Sequence, residues 1–109
     1  MTAVRSEQLW LTHQGTPGAA EEYTVPAGTN VILKSWFAYA SSTTGNTVRL
    51  QIYNGIDSWS VTLVNDAPGA DGLISWEGWL VLLPGNTVVT SMTAGELFSL
   101  GSGAVLPTT

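Results

Sequence analysis

The chain has 109 residues, 44% of them hydrophobic and 10% charged, with 3 Lys+Arg against 8 Asp+Glu for a formal charge of −5, and no cysteine. That length holds one hydrophobic core and one domain, which excludes a multidomain enzyme. Arg5, Lys34 and Arg49 lie too far apart in sequence to form a phosphate-binding patch, so nucleic acid is excluded as the main partner; the lack of cysteine removes disulfides, thiolate catalysis and Cys-ligated zinc.

Residues 1–22 read as an N-terminal arm. A strand-like patch at 8–13 sets Leu9, Trp10 and Leu11 among polar neighbours and runs into the flexible Gln14-Gly15-Thr16-Pro17-Gly18. The first residues, MTAVRSEQLWL, hold no apolar run of signal-peptide length, and no stretch reaches the roughly 18 apolar residues of a membrane helix. The expectation is a chain made in the cytoplasm with no membrane partner.

A sandwich domain is expected over residues 23–109. A short strand at 22–25 leads to the turn Pro26-Ala27-Gly28. Residues 30–40 are apolar on both faces, with Val31, Leu33, Phe37 and Tyr39 on one side and Ile32, Trp36 and Ala38 on the other, the pattern of a strand covered on both sides. From 47 to 53 the period is two: Val48, Leu50 and Ile52 share one face and Thr47, Arg49 and Gln51 the other. Asn54-Gly55, with Asp57 after it, suits a tight hairpin leading to Trp59, Val61 and Leu63. Residues 73–83 are again apolar on both faces, Trp76, Leu80 and Leu82 alternating with Glu77, Trp79 and Val81. Strands at 87–92 and 96–106 bring the number to about eight, that of an all-β, antiparallel two-sheet sandwich of jelly-roll-like kind. Val25-Pro26-Ala27-Gly28-Thr29 and Leu83-Pro84-Gly85-Asn86-Thr87 echo one another as equivalent corners at one end.

No catalytic motif stands out. Glu77 beside Trp76 and Trp79 is one carboxylate where glycoside hydrolysis needs a spaced pair, and His13 has no nucleophile in a recognisable turn near it. Asn65, Asp66, Asp71 and Gly72 offer oxygen ligands but lack the alternating spacing and distal Glu of a calcium loop, so turn chemistry is the simpler reading. Neither metal nor cofactor is expected. Among the tryptophans, Trp36, Trp76 and Trp59 belong to the core by alternation. Trp79 and Val81 face the other way, under a second layer or against another subunit, while Trp10 packs on a neighbour or on its own sandwich. A surface with few charges, and sheet edges without Lys, suit permanent assembly through apolar burial and strand pairing.

The layout from Tyr23 to Leu106 resembles a group of small structural proteins of tailed bacteriophages. The resemblance is carried by Tyr23-Thr24-Val25-Pro26-Ala27-Gly28-Thr29, a long apolar strand, a polar hairpin, and Trp76-Glu77-Gly78-Trp79-Leu80-Val81-Leu82-Leu83-Pro84-Gly85-Asn86-Thr87. In similar proteins such corners flank a compact sandwich found on virions as head decoration or a tail-associated part, commonly as a homotrimer. These positions are structural, so the resemblance implies no functional residue.

The expectation is therefore a non-enzymatic virion protein, a capsid decoration (cement) protein that binds and stabilises the major capsid shell. Its contact residues would be Leu9, Trp10 and Leu11 of the arm, with Trp79 and Val81. Two other readings stand beside it: a tail-associated or receptor-binding module, and a carbohydrate-binding sandwich with Trp59 or Trp79 as stacking platform.

Overall fold

The computed structural model describes residues 6–54 and 60–107. Eight strands make up the fold: β1 (Ser6–Gln14), β2 (Gly18–Thr24), β3 (Thr29–Ala40), β4 (Val48–Tyr53), β5 (Ser60–Asp66), β6 (Leu73–Leu82), β7 (Thr87–Met92) and β8 (Leu97–Pro107). They form two four-stranded antiparallel sheets, ordered β1-β8-β3-β6 and β2-β7-β4-β5. Each sheet draws strands from both halves of the chain, and the expected all-β, antiparallel two-sheet sandwich is the observed fold. The expected hairpin residues Gly55 and Asp57, and Trp59 after them, lie outside the described residues.

The core is the inner faces of both sheets. Val48, Leu50 and Ile52 of β4 point inward as their spacing requires, against Val88 and Met92 of β7 and Val31, Leu33 and Trp36 of β3. Three strands of the first sheet are tied through one buried hydroxyl: Ser99 Oγ of β8 accepts hydrogen bonds from Trp10 Nε1 of β1 at 3.0 Å and from Trp36 Nε1 of β3 at 2.8 Å. The two echoing corners do meet, Val25 N donating to Asn86 O at 2.9 Å and Gly85 N to Val25 O at 3.0 Å. Gly28 and Gly85 hold φ of 77° and 87° there, values that L side chains avoid.

Three expectations are corrected. From residue 6 onward the arm over 1–22 is part of the sandwich: β1 pairs with β8 from Ser6↔Ala104 to Gln14↔Leu97, and β2 pairs with β7, so no boundary falls at residue 23. Pairing across most of the chain's length leaves no local trace in sequence. Second, β3 does not alternate without a break. Lys34 is an extra residue against β8, which switches the phase, so Val31 and Leu33 share the inner face with Trp36 and Ala38, while Phe37 and Tyr39 turn outward. Third, β6 is an edge strand whose outer face is exposed, not a strand covered on both sides.

The edges are also better protected than the lack of Lys suggests. All four edge strands carry an extra residue against their partner: Leu9 in β1, Glu22 in β2, Leu63 in β5, and Gly78–Trp79 of β6 opposite Lys34 alone. Bulges twist an edge away from pairing with another chain, so strand pairing is a poor route to assembly here.

Candidate interaction face

The two outer faces of the sandwich differ in chemistry. The β2-β7-β4-β5 sheet presents polar side chains that satisfy one another, Arg49 Nε donating to Asn65 Oδ1 and Gln51 Nε2 to Thr62 Oγ1, each at 3.1 Å. On the β1-β8-β3-β6 sheet, register places His13, Phe98, Tyr39 and Leu73 in one row across all four strands, and Leu11, Leu100, Phe37 and Ser75 in the next. Leu11, Phe37, Tyr39, Leu73 and Phe98 are all exposed, Leu11 by 65%. His13 stacks on Phe98 with ring centroids 4.3 Å apart, and Tyr39 lies tilted against the other side at 6.3 Å. The His13 ring is held at the rim by Glu96, whose Oε1 is 3.6 Å from Nε2. This is a contiguous aromatic and aliphatic patch of the kind that marks an interaction surface.

A polar belt bounds the patch. Ser35 and Ser102 hydrogen-bond across β3 and β8, and Glu77 pairs with Ser35 from β6. Beyond it lie Lys34, Trp79 and Val81, where the paired bulges of β3 and β6 open a groove of about 420 Å³ lined by Lys34, Ser35, Glu77, Gly78 and Trp79. Trp79 is 74% exposed, and Lys34 Nζ lies 4.8 Å from its ring centroid. Gly78 is forced by the half-buried Trp76 beside it: a Cβ at residue 78 would lie 2.8 Å from that indole.

Of the five residues expected to make contacts, the structure brings Leu11 to the first patch, and Trp79 and Val81 to the far end of the same face. Trp10 is 5% exposed and belongs to its own core, where its ring occupies the space above Gly101. Leu9 packs on that core too, because the bulge turns two adjacent apolar residues inward. Sequence alternation missed Phe37, Tyr39 and Phe98; the signal that could have found them is an apolar strand bearing more aromatics than one core face accommodates.

The loop carboxylates weighed as oxygen ligands make turn contacts: Asp66 Oδ1 accepts from Ala67 N at 2.8 Å and Asp71 Oδ1 from Leu73 N at 3.0 Å. The carboxylate that sequence gives no reason to notice is Glu22, whose bulge turns it between the sheets. It accepts from Thr12 of β1, and its Oε1 accepts from the buried Thr90 Oγ1 of β7 at 2.6 Å. Close by, Tyr23 stacks on Trp10 at 6.1 Å; burial, and then the Glu7 carboxylate, push its phenol above the usual tyrosine range.

No family model and no curated protein matches the sequence. Among solved structures, the fold is similar to the Drosophila NLP core, described for its pentamer formation and histone binding, at 11% identity and TM-score 0.53 over 92% of this chain and 99% of that one. It is also similar to a chain of the acid-stable capsid of Helicobacter pylori bacteriophage KHP30, at 12% identity and TM-score 0.52 over 96% of this chain and 94% of that one. At such identities the likeness establishes a shared sandwich fold.

Proposed function

We propose that this chain is a non-enzymatic structural protein of a bacteriophage virion, a decoration (cement) protein that binds the major capsid shell and associates with copies of itself as a homotrimer. Made in the host cytoplasm, it associates through the apolar patch of Leu11, Phe37, Tyr39, Leu73 and Phe98, and the trimer so formed joins the particle. The observation that carries the reading is that exposed patch on a sandwich whose opposite face is polar and whose edges are bulged. Few charges oppose close approach, and contacts repeated over a lattice gain from multivalency. The likeness in fold to a phage capsid chain supports the same reading.

The test is quantitative mass spectrometry of purified virions of the phage whose genome encodes the chain, followed by re-addition of the chain to stripped capsids. A fixed ratio to the major capsid protein and saturable rebinding, both lost with Leu11→Asp, are expected. Absence of the chain from the virion overturns the proposal.

A further inference from the structure

We infer that the groove between Lys34, Glu77 and Trp79 is a saccharide-binding site, taking one uncharged pyranose ring of a glycan against the Trp79 indole. This inference is independent of the virion role proposed above. It rests first on the exposure of Trp79, 74%, on a face whose other large side chains are about half exposed. Lys34 Nζ lies over one face of the indole, 4.8 Å from its centroid, so the platform for a ligand is the opposite face of this exposed ring.

The groove is built rather than incidental. Both strands bulge at the same level, Gly78–Trp79 of β6 facing Lys34 of β3, so the sheet surface is interrupted where the indole stands. Gly78 faces the inner side of β6, where the core-packed Trp76 indole leaves no room for a Cβ, so the groove on the outer side is framed by its neighbours Glu77 and Trp79. Around the indole stand a cation, a carboxylate and a hydroxyl: Lys34 donates and Glu77 accepts, while the Ser35 hydroxyl, engaged with Ser102, keeps only its remaining capacity for a ligand. A flat apolar platform with both kinds of hydrogen-bonding group at its rim matches a pyranose, which has an apolar ring face and a hydroxylated edge.

Other ligands fit less well. A phosphorylated ligand would meet Glu77 and a chain of charge −5. A quaternary ammonium prefers several rings and no cation, and here there is one ring with Lys34 over it. An extended peptide adds to a regular sheet edge, and this edge is bulged. Lys34 is five residues along β3 from Tyr39, roughly 16 Å at the usual strand rise, so a glycan here and a protein on the apolar patch do not exclude one another.

The test displays the full chain as a streptavidin tetramer on an array of bacterial surface polysaccharides, beside Trp79→Ala and Lys34→Met. Binding to at least one pyranose glycan is expected, falling roughly tenfold or more with Trp79→Ala and less with Lys34→Met, at unchanged melting temperature. If Trp79→Ala does not fold, the Trp79 indole N–H resonance of the wild type is followed during titration with the best array glycan. Movement of that resonance supports the site. Binding to no glycan, binding untouched by Trp79→Ala, or an unmoved resonance overturns it. Incorporation into virions is scored separately: loss of incorporation with Trp79→Ala and no glycan bound makes the groove a protein contact and overturns the inference. Leu11→Asp, which tests the virion role, is expected to keep glycan binding.

Discussion

Replacing Ser99 with alanine removes a single oxygen, yet two indoles depend on it. Ser99 is buried, and its Oγ accepts from Trp10 Nε1 at 3.0 Å and Trp36 Nε1 at 2.8 Å. Both rings are themselves buried, so neither N–H reaches water when the acceptor is lost. Each stranded donor costs about 1–3 kcal/mol, and relief by small rearrangements brings the expected loss for Ser99→Ala to about 3 kcal/mol. For a domain of this size that lowers the melting temperature by roughly 12 °C. Urea unfolding at fixed protomer concentration gives the free energy, and a double-mutant cycle with Trp10→Phe gives the mechanism. Because Trp10→Phe removes one of the two donors, Ser99→Ala should cost less in that background, by about 1 kcal/mol or more. A loss below about 1 kcal/mol for Ser99→Ala alone, or strict additivity in the cycle, would refute the account of Ser99 as a shared acceptor.

Further predictions concern the first strand and its surroundings. Gly101→Ala places a Cβ 2.2 Å from the Trp10 ring, so the indole must leave its site; a loss of about 3 kcal/mol is expected by denaturant unfolding, and Trp10→Leu in the same chain should recover part of it. Thr90→Val removes a donor to the Glu22 carboxylate between the sheets and should lower stability by about 1.5 kcal/mol in the same assay, with Thr90→Ser close to wild type. Tyr23 holds its proton more tightly when folded than when unfolded, so its contribution to stability is complete below pH 10 and declines as pH rises past 10 toward the folded value. Unfolding measured through that range should show the decline in the wild type and a flatter profile in Tyr23→Phe. Glu7→Gln, which removes the second of the two causes, should make the decline smaller and end it at a lower pH, with its onset unchanged.

What could be read from sequence was what repeats locally. The alternation of Val48, Leu50 and Ile52 survives because β4 keeps register with β7 throughout. The Pro-Gly corners at 25–29 and 83–87 were legible because glycine and proline act on their own residue's φ, wherever the chain goes next. Inserted residues were not legible. Leu9 and Trp10 both reach the core only because one of them is extra against β8, and strict alternation separates them. The same device at Lys34 moved Phe37 and Tyr39 from an expected buried face to the surface, which is why the aromatic patch was not anticipated while Trp79 and Val81, beyond the break, were placed correctly as outward. Glu22 shows the limit most plainly, since a carboxylate aimed between two sheets is satisfied by Thr12 and Thr90, residues distant in sequence that only the completed fold brings together.

The central claim is that the apolar patch on the β1-β8-β3-β6 sheet is buried by assembly. Light scattering after size exclusion, on the wild type and on Leu11→Asp and Phe98→Asp at micromolar and nanomolar concentrations, tests it most directly. The account predicts a wild-type particle of three times the mass of one chain at both concentrations, and variants that are monomeric yet folded, melting below the wild type only by the stabilisation that association supplied, since both side chains are exposed in the single chain. A wild type that is monomeric at micromolar concentration, or variants that keep the wild-type mass, would contradict it.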